Sequence, residues 1–105
     1  MDPKTVHERR DELQLLDVRE DEEWAAGRID GATHIPLAEL PDRLTQLDRN
    51  RPLVTICRSG GRAARAADYL SQTGLPAEVL DGGMTHWAET GFPVTTPDGR
   101  PGYVA

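Results

Sequence analysis

The sequence has a single cysteine, a single lysine, a single phenylalanine and no long apolar run. With Cys57 alone, an intramolecular disulfide and a multi-cysteine zinc site are both excluded. Any thiol chemistry has to use Cys57 and an outside partner. The apolar stretches fall well short of the roughly 20 residues that a membrane-spanning helix needs. The opening residues Met1-Asp2-Pro3-Lys4 lack the basic and apolar regions of a secretory leader, so the expectation is a cytoplasmic protein without a membrane partner. Cations are scarce too: 12 Lys+Arg stand against 18 Asp+Glu, a net charge of −6. A surface of that sign argues against nucleic acid as a partner. Apart from Lys4 every cation is Arg, which reads as compositional bias.

What is present is enough for one modest core. A chain of 105 residues buries roughly 65% of its unfolded surface. The expectation is one domain over 1–105, with its core at about 3–94 and an irregular tail at 95–105 draped on the surface. Short apolar runs alternate with helical patterns, which predicts parallel βα units. Asp2-Pro3 reads as an N-cap followed by proline at the first helical position, opening a helix to about Glu12. Strands are predicted at 13–18, 32–35, 53–56 and 77–80. Helices are predicted at 21–26, from about Ala63 to Gly74, and at 84–90. Leu37, Leu40, Leu44 and Leu47 recur at helical spacing, but Pro41 interrupts them. A single turn before Pro41 and a main helix after it are expected.

The stretch Leu53-Val54-Thr55-Ile56-Cys57-Arg58-Ser59-Gly60-Gly61-Arg62-Ala63 carries the chemistry. A buried strand runs into Cys57, and a short glycine-containing loop runs from there into a helix. In an open parallel sheet this is where sites form. Loop amides and the helix N-terminus present unpaired N–H groups. Gly60 and Gly61 permit backbone conformations that let those amides converge. Arg58 and Arg62 add positive charge. Both effects favour an anionic sulfur at that point. A lone cysteine elsewhere in a fold is usually an inert small hydrophobe. Such a cysteine has no need of two glycines and two arginines in the next five residues. Cysteine phosphatases place Arg at the sixth position after the cysteine; here that position is Ala63, and Arg62 comes one residue early. The loop is sized for a group smaller than phosphate, such as one sulfur atom bonded to the cysteine.

These residues, with four further segments, resemble a single-domain rhodanese over about Leu16 to Val94. The segments are Leu16-Asp17-Val18-Arg19-Glu20, Trp24-Ala25-Ala26-Gly27-Arg28-Ile29-Asp30-Gly31-Ala32 continued by His34-Ile35-Pro36-Leu37, Gly82-Gly83-Met84-Thr85-His86-Trp87, and Gly91-Phe92-Pro93-Val94. Arg28 stands where the family usually has His. The resemblance implies an α/β fold with a central, mostly parallel sheet and helices on both faces. It also implies thiosulfate sulfurtransferase activity without a cofactor. Cys57 would attack the outer sulfur of a small anionic donor such as thiosulfate, releasing sulfite and leaving a persulfide. The loop Arg58, Ser59, Gly60, Gly61 and Arg62 would cradle that persulfide. A thiophilic acceptor would then remove the sulfur, with cyanide, glutathione, thioredoxin or a dedicated protein all open. The two arginines would orient the donor, whose binding should weaken with added salt.

Asp17 and Arg19 lie just past a strand end and read either as pocket-shaping groups or as a structural ion pair. Trp24 and Trp87 read as packing. His7, His34 and His86 lack metal-ligand spacing, so no metal is expected. Two other functions remain open at this level. One is a persulfide carrier that receives sulfur from a partner protein. The other is arsenate reduction or phosphatase-like chemistry, against which the short loop counts.

Overall fold

The apolar run Leu53–Ile56 forms the middle of the sheet, with all four residues buried. Val54 and Ile56 face one side of it; Leu53 and Thr55 face the other. The computed structural model describes residues 1–105. The elements in chain order are α1 (Pro3–Arg9), β1 (Gln14–Asp17), α2 (Asp21–Ala26), β2 (Thr33–His34), a 3₁₀ segment (Leu37–Gln46), β3 (Leu53–Ile56), α3 (Gly61–Gln72), β4 (Ala77–Val79) and α4 (Gly83–Glu89). The four strands form one all-parallel sheet in the order β2-β1-β3-β4.

The core is divided by this sheet. On one side Leu16 and Leu53 pack with Leu40 and Leu47 of the 3₁₀ region and with Ala63, Ala66 and Leu70 of α3. On the other, Leu15, Val54 and Ile56 pack with Val6 of α1 and with Met84 and Trp87 of α4. Helices therefore cover both faces, as expected for strands that are apolar on both sides.

The strand order decides where the site lies. The chain leaves β1 toward β2 on one side, and β3 pairs on the other side of β1. Asp17 and Ile56 are register partners at the carboxyl ends of these two strands. Residues just beyond them therefore face each other across the point where the winding changes direction. Thr55 anchors the connection from β3 to α3. Its buried hydroxyl donates to the Ala63 carbonyl at 2.8 Å, tying the strand to the first turn of the helix.

Two expectations change. The main helix after Pro41 does not form: residues 37–46 are 3₁₀, with a non-helical kink at Arg43 (φ −123°, ψ 17°). Proline has no N–H to donate and crowds the preceding turn, so the wider α-ladder never starts. The leucines still reach the core, Leu40 fully. The first helix ends at Arg9 rather than Glu12. The tail is irregular but built. Arg28 and Thr95 exchange backbone bonds at 2.9 Å, and the Tyr103 N–H donates to the Ala26 carbonyl at 3.0 Å.

Packing, not hydrogen bonding, holds the 3₁₀ segment. Leu40→Ala is expected to cost about 2–4 kcal/mol by urea unfolding. Ala38→Gly, on the exposed side of the same segment, should cost about 1 kcal/mol or less. Equal losses would show that the ladder itself carries the segment.

A candidate active site around Cys57

Cys57 is the first residue after β3 and is 1% exposed. Its Sγ accepts the Gly60 N–H at 3.0 Å and the Ala63 N–H at 3.3 Å. The amides of Arg58, Ser59, Gly61 and Arg62 are claimed by no protein acceptor. Two amides of the loop thus converge on one sulfur, and four more are left without a protein partner. Gly60 makes this possible with φ +122°, a conformation that side chains resist.

The first two carbonyls of the loop turn outward, and α4 receives them. Met84 N–H donates to the Cys57 carbonyl at 2.9 Å, and Thr85 N–H to the Arg58 carbonyl at 3.0 Å. Gly83 lies so close that a Cβ there would stand 2.5 Å from the Cys57 carbonyl oxygen. Sequence alone places Gly83, Met84 and Thr85 in a family signature and gives them no part in the site. Their part is to hold the back of the loop.

A second group that sequence alone does not reveal is Glu23, from α2. Its carboxylate makes a two-pronged bond to Arg62, at 2.7 and 2.8 Å. The same Oε1 also accepts the Glu20 N–H at 3.0 Å. The Arg62 contact, strongest among its partners, holds the Glu23 carboxyl down at about 2 against an ordinary 4.5. Reciprocally, Glu23 pushes the Arg62 guanidinium up, and Cys57 adds to that. By sequence the loop carries two arginines and no acid. In the fold it gains an acid supplied from 39 residues away, which cancels the charge of Arg62. Arg58 is exposed and pairs with no Asp or Glu side chain; its Nε donates to a main-chain oxygen of Ala105, the last of the 105 residues, at 3.0 Å.

Asp17 and Arg19 are fully buried and engage each other, with Arg19 Nε and Nη2 donating to the carboxylate at 2.8–3.1 Å. Arg19 Nη2 also donates to the Gly27 carbonyl at 2.7 Å, at the end of α2. Neither side chain bonds to the Cys57 loop. They fix α2, and α2 fixes Glu23. Trp87 is buried and donates from Nε1 to the Pro93 carbonyl. Trp24 stacks on His34 at 4.7 Å, and the Arg28 guanidinium lies 4.0 Å from the centre of the same indole. The arginine that departs from the usual family residue thus joins an aromatic stack. No cluster of three metal-ligating side chains occurs, and no helix is long and apolar enough to cross a membrane.

A six-residue loop of this form, closed by α3 and backed by α4, accompanies a match of residues 2–90 to the Rhodanese-like domain family. The chain belongs to the rhodanese-like family. Rhodanese-like relatives include a sulfurtransferase of Allochromatium vinosum, 36% identical over 85% of this chain and 84% of that protein. Another is the thiosulfate sulfurtransferase GlpE of Pseudomonas aeruginosa, 32% identical over 93% of this chain and 90% of that protein. Among solved structures, a rhodanese-related protein of Thermoplasma volcanium superposes with a TM-score of 0.86. It is 35% identical, covering 90% of this chain and 95% of that one.

The Glu23–Arg62 pair gives stability a pH signature. A carboxylate held at about 2 when folded and near 4.5 when unfolded contributes fully above pH 4.5. That contribution declines as pH falls and is gone below pH 2. Glu23→Gln should therefore cost about 1–2 kcal/mol at neutral pH, allowing for screening of the partly exposed guanidinium. The gap between variant and wild type in denaturant midpoint should close from pH 4.5 downward. A gap unchanged at pH 2 would refute the pairing.

Gly83→Ala forces a Cβ into the Cys57 and Arg58 carbonyls at φ +60° and should cost about 1–3 kcal/mol. Gly82→Ala meets only the exposed His86 side chain and should cost less. Thermal melts of the two compare them directly, and the reverse order would remove α4 from the loop's support.

Proposed function

We propose that this rhodanese-like domain is a thiosulfate-type sulfurtransferase acting through a persulfide on Cys57. The observation that carries the reading is the pair of amides on Sγ, from Gly60 and Ala63, in a loop whose other four amides have no protein acceptor. A sulfur atom added to Cys57 would extend the negative charge toward donors fixed in place before the reaction.

The Cys57 thiolate attacks the outer sulfur of thiosulfate. A new S–S bond forms, the donor's S–S bond breaks, and sulfite leaves with the electron pair. A nucleophilic acceptor, cyanide or a thiolate, then attacks the outer sulfur of the persulfide. The bond to Cys57 breaks and the thiolate is restored. The likeness to GlpE along 90% of its length supports thiosulfate as the donor. Arg58, the loop cation that no Asp or Glu side chain pairs with, is in this reading the group that meets the donor's charge.

One observation favours a second reading, a carrier loaded by a partner protein. Glu23 neutralises Arg62, which halves the loop's formal attraction for a free dianion. Both readings send the sulfur to another molecule, because the chain has no second cysteine.

Thiosulfate with cyanide is expected to yield thiocyanate with wild-type protein and none with Cys57→Ala. Equal turnover by the two proteins would end the proposal. Mass spectrometry separates the two readings. The mass gain of one sulfur atom after thiosulfate supports the enzyme. A gain seen only with a protein persulfide donor supports the carrier.

A further inference from the structure

Arg62 closes the Cys57 loop and lies in the first turn of α3. Both of its terminal nitrogens are committed to Glu23: Nη1 donates to Oε1 at 2.7 Å and Nη2 to Oε2 at 2.8 Å. The carboxylate is the less exposed partner, with 17% of its side chain open to solvent against 32% for Arg62. Its position is set from its own helix, because Oε1 also accepts the Glu20 N–H at 3.0 Å and completes the capping box of α2. The guanidinium therefore rests on a carboxylate that the fold has already placed.

The pair belongs to a longer series. Asp17 and Arg19 are bonded at 2.8–3.1 Å, and Arg19 Nη2 reaches the Gly27 carbonyl at the end of α2. Arg62 and, more weakly, Arg19 both lower the Glu23 carboxyl. Cys57 in turn raises the proton affinity of Arg62, so those two charges lie within reach of each other. Charge thus alternates from Asp17 through Arg19, Glu23 and Arg62 to the sulfur. A free arginine in the loop would offer an incoming dianion a two-pronged bond. Here the anion must displace Glu23 to receive that bond, or do without it.

We infer that Glu23 is a positioning residue of the Cys57 site: by holding and neutralising Arg62, it reduces the advantage that a small dianionic donor would have over an uncharged or protein-borne one. The inference rests on the sulfur-transfer reading and names the residue that sets its selectivity for donor charge. The potential of a neutral pair falls off faster with distance than that of a lone charge, because its two Coulomb energies nearly cancel. Glu23→Gln keeps the shape of the side chain and one acceptor oxygen, and restores the positive charge of Arg62 beside the sulfur. Arg62→Gln leaves the carboxylate unmatched there, with the opposite sign.

The test uses two alkylating probes of Cys57, anionic iodoacetate and neutral iodoacetamide. The same thiolate attacks both, so the ratio of their rates reports the local field whether or not the protein transfers sulfur. Glu23→Gln should raise the ratio about two- to fivefold, the size of one partly exposed charge interaction. Arg62→Gln should lower it by a similar factor, and the double variant should return close to wild type. Loss of a merely structural contact would move both single variants in the same direction. Glu23→Asp, which keeps the charge, should lie nearer to wild type than Glu23→Gln. Both single effects should shrink with added salt. KM for thiosulfate should fall in Glu23→Gln and rise in Arg62→Gln, with kcat moving less. Melting curves confirm that each variant is folded. An unchanged or lowered ratio in Glu23→Gln, or a double variant no closer to wild type than the single ones, overturns the inference. A ratio that moves as expected in a protein yielding no thiocyanate leaves the role of Glu23 standing and refutes thiosulfate transfer instead.

Discussion

A loop that turns two of its backbone amides onto a sulfur also carries carbonyls that need partners of their own. Much of the site's architecture answers this demand. The Cys57 and Arg58 carbonyls find Met84 and Thr85 N–H groups. That arrangement brings α4 against the loop closely enough to exclude a side chain at Gly83. The Thr55 hydroxyl holds the other end of the loop by way of the Ala63 carbonyl. The cradle is thus held from both of its ends and from behind, with the Gly60 and Ala63 amides directed at Sγ.

The electrostatics obey a similar constraint. A loop with two uncompensated arginines would strain its own fold in the absence of an anion. Glu23 removes one of those charges, and the two-pronged geometry adds orientation to attraction. The protein is acidic as a whole, yet of the two loop arginines only Arg62 is paired with an Asp or Glu side chain.

The features legible in the sequence are local ones. Leu53–Ile56 is a strand residue for residue, because a β-branched apolar run buried on both sides has few alternatives. The Cys57 loop is legible because glycines and arginines crowd five positions. The family pattern brings the parallel sheet with it. The features that escape depend on pairs distant in sequence. Glu23 sits in an acidic run that looks like an ordinary helix start, and nothing in its spacing points to Arg62. The amides of Met84 and Thr85 have no side-chain signature at all. The leucine spacing at 37–47 is real, but Pro41 makes it a 3₁₀ segment rather than a helix, since period alone does not distinguish the two over so short a span. The tail, rich in proline and glycine, gives no hint that its backbone closes on α2 and Arg58.

The Glu23 carboxylate has a consequence for motion. One oxygen accepts both the Glu20 amide at the start of α2 and a guanidinium N–H of Arg62. Yet α2 has no fully buried residue and little core contact to hold it. Local opening is easiest in such lightly packed elements. When α2 frays, Arg62 loses its partner in the same event. The first turn of α2 and the Arg62 side chain are therefore released together, while the bonds from Thr55, Met84 and Thr85 keep the loop backbone in place.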